Sequence, residues 1–109
     1  MKEKNEIVKE QDKEKITIAQ YQEFCGKEVK KGYTDVVFAL GLGGESGEVL
    51  DIIKKSYRDQ KPFDREHLKE ELGDVMWYIA NLCNVYGYTM DEIIAYNVAK
   101  LSKRYDIKK

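Results

Sequence analysis

The spacing of apolar residues along the chain predicts helices, beginning with a short one near the amino terminus. Thr17 and Gln20 have the form of a capping box, in which each side chain bonds the other's backbone N–H. Apolar residues then recur every three to four positions as far as Val29, and the sequence KKGY breaks the pattern. A first helix is therefore predicted over about 17–31.

A second, longer helix is predicted from Thr34 or Asp35, either of which can cap it, to about Arg58. Its inward stripe differs from an ordinary apolar face because the carboxylate of Glu45 interrupts it. Glu48 lies one helical turn from Glu45. The stripe consists of Phe38, Leu42, Glu45, Val49 and Ile52.

Two further helices complete the pattern. Asp64 is a good N-cap for the third, which Gly87 ends, and Thr89 with Glu92 forms a second capping box at the start of the fourth. The stripe of the third helix again contains an acidic residue, Glu71. The predicted fold class is all-α, a four-helix bundle with no internal repeat or second domain.

Composition agrees with long helices and excludes several partners. The 109 residues are 36% charged, include one proline and have a net charge of -1, so no global field favours a nucleic acid polymer or an anionic membrane. The chain has neither a membrane-length apolar run nor a signal peptide, and a cytoplasmic location is expected. Residues 1–16 are predicted to be a charged, flexible segment before a helical domain over 17–109. Cys25 and Cys83 are expected to be reduced packing residues.

The acidic residues of the two central helices occur as matched pairs, Glu45-x-x-Glu48 and Glu71-x-x-Asp74. Residues three apart on a helix project in nearly the same direction, so antiparallel helices would bring the pairs face to face. Converging carboxylates repel one another unless they are protonated or bind a cation, and oxygen ligands favour Mg²⁺, Mn²⁺ or Ca²⁺. A single such pair is typical of a solvated helix surface, and it is the repetition that favours a metal site.

Other chemistry has less support. A di-iron site needs Glu-x-x-His units, and the sequence contains none. The only histidine, His67, is expected to be an ordinary solvated residue at the start of the third helix.

The segments GGESGEVLDIIKK, KEELGDVMWYIANL and NVAKLSKRY together resemble the MazG-like all-α nucleoside triphosphate pyrophosphohydrolases, over about residues 17–105. The resemblance implies a helical bundle that uses Mg²⁺, with Mn²⁺ as a substitute, to cleave nucleoside triphosphates between the α and β phosphates. It implies Glu45, Glu48, Glu71 and Asp74 as metal ligands. Glu48 is our choice for the catalytic residue that positions the attacking water.

The resemblance also implies a set of substrate-binding residues. Asn97, Lys100 and Arg104 share one face of the fourth helix and match the phosphate-binding positions of the family, although alone they would read as a solvated basic face. Lys55, which lies two turns after Glu48 on the same helix face, is a weaker candidate for a phosphate contact. Tyr78 follows Asp74 by one turn, and it is either a contact to the base or sugar or a core aromatic.

Four glycines of the second helix remain to be explained, since each costs about 1 kcal/mol relative to alanine inside a helix. We expect that they let another backbone or the triphosphate approach closely, or that the Gly43-Gly44 pair kinks or breaks the helix. The four are Gly41, Gly43, Gly44 and Gly47.

Two expectations concern the whole molecule. A chain this short is expected to associate as a homotetramer built from dimers or as a homodimer, with each site completed by a neighbour's fourth helix. The alternative to an enzyme is a non-catalytic module of the same fold that binds nucleotides or another protein.

Overall fold

The computed structural model describes residues 15–106, and the part of the chain it describes is all-α, as predicted. The helices are α1 (Ile18–Lys27), α2 (Asp35–Asp59), α3 (Arg65–Tyr86) and α4 (Met90–Tyr105). None of these four helices combines the length and apolar composition needed to span a bilayer. Residues 1–14 of the predicted flexible segment lie outside the described residues.

Most of the predicted signals at the helix ends are confirmed, although the Thr34 side chain makes no capping hydrogen bond at the start of α2. Both capping boxes form, at Thr17 of α1 and at Thr89 of α4. The Asp64 side chain accepts hydrogen bonds from two backbone N–H groups in the first turn of α3. Gly87 follows α3 in the left-handed conformation, with φ of 75°, which glycine adopts at little cost. These local contacts fix where α3 and α4 begin and end.

The prediction for α1 was too long, because the helix ends at Lys27 and not near residue 31. The Asn81 side chain donates to the Cys25 carbonyl oxygen, and so provides a partner for a carbonyl at the end of the helix. Beyond Lys27 only Val29 is partly buried before α2 begins, so a longer helix would have little apolar surface to pack.

The long α2 is continuous across Gly43-Gly44, so the expected break does not occur. It packs antiparallel against α3, and aromatic rings join the two helices at one end of the contact. The Trp77 ring meets the Phe38 ring edge to face at 5.8 Å and the Tyr78 ring at 5.1 Å. Phe38 is almost completely buried, which fixes the register of the two helices.

A small core joins α1, α3 and the start of α4. It is formed by Cys25, Ala80, Cys83 and Met90, and both cysteines are free thiols, as expected. Beside it lies a buried polar group centred on Gln22.

The amide of Gln22 connects three parts of the chain. Its nitrogen donates to Asn84 Oδ1 at 2.8 Å and to the Tyr88 carbonyl at 2.9 Å. Its oxygen accepts from the Met90 N–H at 2.7 Å. One side chain of α1 therefore holds both the end of α3 and the start of α4.

Candidate active site

Three of the four predicted carboxylates meet between α2 and α3. Glu45, Glu71 and Asp74 each offer an oxygen, and these oxygens lie within 4.8 Å of one another. The i,i+3 spacing places Glu71 and Asp74 on one face of α3, and the antiparallel packing places Glu45 opposite them. Tertiary structure thus brings together acids that are 26 or more positions apart in sequence.

The oxygens of this group are poorly satisfied. Glu45 Oε2 and Glu71 Oε2 are both buried, and no hydrogen-bond donor among the described residues reaches them. A buried acceptor without a partner costs about 1–3 kcal/mol, and more when it is charged. A proton or a cation between the two helices would therefore stabilise these carboxylates.

The electrostatic surroundings of these acids also favour a bound proton. The nearby Glu71 carboxylate, with which Glu45 can share a proton, raises the pKa of Glu45 from 4.5 to about 7, and burial and the neighbouring negative charges add to the shift. Burial, reinforced by the charges of Glu71 and Glu70, also raises the pKa of Asp74. At neutral pH without a metal, Glu45 is therefore partly protonated.

Glu48 lies apart from the three-oxygen group. It is exposed on α2 and lines a neighbouring cavity of about 320 Å³ between α2 and the loop that leads to α3. Its charge still contributes to the raised pKa of Glu45, so the two carboxylates are electrostatic neighbours. The structure places Glu48 at the edge of the acidic group.

A second cavity, of about 340 Å³, opens directly onto the acids. Its lining is Glu45, Asp74, Trp77 and Tyr78. The Tyr78 ring is half-buried and lies against α2 at Gly41, where a β-carbon would come within 2.1 Å of the ring. Tyr78 therefore borders both the acidic group and the surface of α2.

The predicted phosphate-binding residues are not brought to this site within one chain. Asn97, Lys100 and Arg104 are exposed on α4, which packs mainly against α1. Lys55 is also exposed, and its ammonium is 2.8 Å from Asp51 Oδ2, a contact that raises the Lys55 pKa and lowers that of Asp51. Their roles in substrate binding stay predictions.

Two neighbours of the acids were not found from the sequence. His67 is exposed, as expected, and its Nε2 also lies 3.4 Å from Glu71 Oε1. The i,i+4 spacing of His67 and Glu71 is the sequence signal from which this contact could have been predicted. The Tyr21 hydroxyl donates to the Gly73 carbonyl at 3.4 Å, and burial is the main reason that its pKa is raised. No local pattern links α1 to Gly73.

The residues present fit a divalent cation. Three carboxylates supply hard oxygen ligands, and the two buried oxygens without donors are the atoms that a cation would satisfy. The set lacks sulfur and imidazole ligands within the three-residue group, which disfavours a zinc site. Glu45, Glu71 and Asp74 would hold the ion.

Comparison with known proteins identifies a family that matches most of the chain. Residues 35–107 match the MazG nucleotide pyrophosphohydrolase domain. The Gene 37 protein of Mycobacterium phage L5 is 39% identical over 71 residues, which are 62% of this chain and 62% of the phage protein. The match thus spans less than two thirds of that relative. The Uncharacterized protein YvdC of Bacillus subtilis (strain 168) is 28% identical over 89 residues, 71% of this chain and 84% of YvdC. No solved structure matches significantly.

Proposed function

The chain belongs to the family of MazG nucleotide pyrophosphohydrolase domains, and from this membership we propose that it hydrolyses nucleoside triphosphates with Mg²⁺. Water adds across the bond between the α and β phosphates, so that triphosphate and water give nucleoside monophosphate, pyrophosphate and a proton. The observation that carries the proposal is the group of Glu45, Glu71 and Asp74, with two buried oxygens that lack donors.

Each acid has a distinct part in this proposal. Glu45, Glu71 and Asp74 would hold the cation, which when bound neutralises phosphate oxygens and lowers the pKa of a water molecule. Glu48 is exposed beside them and is free to accept a proton from the attacking water. Its position outside the three-oxygen group favours this role over that of a fourth ligand.

The substrate would enter through the cavity lined by Trp77 and Tyr78, with its base or sugar against Tyr78. Its phosphates need positive charge, which the acidic group does not supply. We propose that Asn97, Lys100 and Arg104 come from α4 of a second copy in a homodimer or a dimer of dimers. Support comes from α4 itself, where residues 91–100 are all exposed in the single chain.

The test separates the products of the reaction. Purified protein with Mg²⁺ and a panel of nucleoside triphosphates is expected to give monophosphate and pyrophosphate, with no turnover in chelator. Glu71→Gln is expected to lower kcat by at least 100-fold, while Glu23→Gln, which removes an exposed charge on α1, leaves the rate unchanged. Orthophosphate as first product would refute the proposed bond cleavage. Nucleotide binding without turnover would establish the non-catalytic module.

A further inference from the structure

Gly41 and Tyr78 make the closest approach between α2 and α3 at any glycine of the described chain. A β-carbon built on Gly41 would lie 2.1 Å from Tyr78 Cε1 and 2.3 Å from Cζ. Nonbonded carbons normally separate by about 3.5–4.0 Å, so any larger residue at position 41 must displace the ring by more than about 1 Å. The Tyr78 ring occupies space that exists only because residue 41 has no side chain.

This contact is one helical turn from the acids on both helices. Gly41 precedes Glu45 by four residues on α2, and Tyr78 follows Asp74 by four on α3. Residues four apart share a helix face. The Gly41–Tyr78 contact therefore lies one helical turn from the Glu45–Asp74 contact along the antiparallel interface of α2 and α3. At this level of the interface Tyr78 lines the 340 Å³ cavity.

The other three glycines of α2 behave differently. A β-carbon on Gly43, Gly44 or Gly47 would meet no atom of the described residues within 4 Å. Of the four glycines of α2, only Gly41 is therefore required by a contact with another described residue. The loss of helix propensity at that position, about 1 kcal/mol relative to alanine, is offset by a close aromatic contact.

We propose that Gly41 is a positioning residue that sets the place of the Tyr78 ring, and thereby the room that the cavity leaves for the base or sugar of the nucleotide. The inference rests on the proposed function for its ligand. An added methyl group at residue 41 pushes the ring away from α2 and into the cavity beside Glu45 and Asp74. Nucleotide affinity then falls, whereas the acids keep their positions and the metal site its affinity.

Trp77 provides a readout of the ring that needs no substrate. It is the only tryptophan of the chain, and its ring meets the Tyr78 ring at 5.1 Å with an interplanar angle of 85°. Movement of Tyr78 changes the coupling of these rings, which near-ultraviolet circular dichroism detects. Gly41→Ala is expected to change this spectrum, and Gly43→Ala, in open space two residues away, is expected to leave it as in the wild type.

A double-mutant cycle tests the effect of Gly41 on nucleotide binding. We would measure the Kd of a nucleoside triphosphate whose α–β bridge is a methylene group, with Mg²⁺ present, and separately the Kd of Mn²⁺ alone. Gly41→Ala is expected to weaken nucleotide binding at least 10-fold and Mn²⁺ binding less than 2-fold. In a Tyr78→Ala background the same substitution is expected to change nucleotide affinity less than 2-fold, because no ring remains to be moved.

The same double-mutant cycle remains informative if Gly41→Ala impairs folding. If Gly41→Ala lowers the melting temperature too far for binding to be measured, Gly41→Ala/Tyr78→Ala should fold with a higher melting temperature than Tyr78→Ala, since alanine is the better helix former. Equal effects of Gly41→Ala in both backgrounds, or an unchanged near-ultraviolet spectrum, would overturn the inference. Failure of the wild type to turn over nucleotide would refute the proposed reaction but leave the binding arm valid, and absence of any nucleotide binding would refute both.

Discussion

Glu45 is held in a setting that makes its charge unfavourable, and the metal-free protein should show this in its pH dependence. Its pKa is about 7 in the folded chain against 4.5 ordinarily. Between these values the folded state binds more protons than the unfolded state, so the free energy of unfolding falls as pH rises from about 4.5 to 7. The full penalty is present above pH 7.

Glu45→Gln removes this penalty, and we expect its stability in chelator to decline less than that of the wild type across the same pH range. Urea denaturation at intervals between pH 4.5 and 8 measures the difference. Glu23→Gln, which removes an exposed carboxylate, should follow the wild-type curve. Parallel curves for Glu45→Gln and the wild type would show that Glu45 ionises normally.

Metal binding should distinguish the acids from one another. At one hundred times its dissociation constant, Mg²⁺ stabilises a protein by about 2.7 kcal/mol. We expect this gain in the wild type, little of it in Glu71→Gln, and most of it in Glu48→Gln, because Glu48 lies outside the three-oxygen group. Melting temperatures with Mg²⁺ and with chelator provide the measurement. Complete loss of the gain in Glu48→Gln would instead make Glu48 a ligand.

At the scale of the helices, Gln22 is one of the contacts that hold the start of α4 in place. Gln22→Ala leaves the Met90 N–H and the Tyr88 carbonyl without their buried partners. We expect a loss of about 1–3 kcal/mol in the free energy of unfolding, together with faster hydrogen exchange at Met90. Glu23→Ala, at the exposed neighbouring position, should change stability by less than about 0.5 kcal/mol. An unchanged exchange rate at Met90 would contradict this role.

Helix boundaries could be predicted where a local signal fixes them. Asp64, Gly87 and Thr89 act within a few residues of their own positions, so the sequence alone sufficed. The end of α1 could not be predicted in this way. There the Cys25 carbonyl also accepts a bond from Asn81, a side chain 56 positions away, which no local pattern could indicate.

The same division applies to the candidate site. The facing acids followed from i,i+3 spacing and from antiparallel packing of consecutive helices. The contact of Gly41 with Tyr78 did not, because a close approach across 37 positions leaves no periodic trace in the sequence. Which glycine has a partner is decided by tertiary packing.

At the scale of the whole molecule, the single chain leaves much of its apolar surface uncovered. Within residues 15–106 few hydrophobic residues are buried, whereas Leu40, Leu50, Tyr57 and Tyr96 are each at least 70% exposed. Apolar surface of this extent is typical of an interface. Oligomer formation would also allow α4 of one copy to reach the acids of another.

We expect light scattering to give a multiple of 12.7 kDa, corresponding to a dimer or a tetramer, and the melting temperature to rise with protein concentration. Tyr96→Lys, on the exposed surface of α4, should shift the mass towards the monomer. Lys103→Ala, at an exposed basic position of the same helix, serves as the control. A fully active monomer would exclude a site shared between copies.

The hydrogen bonds of Gln22 also bear on whether the segment that matches the family can fold by itself. The family match starts at residue 35, after α1, yet α1 satisfies polar groups in the turn before α4. A fragment of residues 34–109 should therefore be unable to fold unaided, and a synthetic peptide of residues 15–31 should restore it on mixing. Circular dichroism of the mixture measures this complementation, and a peptide with Gln22→Ala should complement poorly. If the fragment folds alone, α1 is an accessory and the domain begins where the family match does.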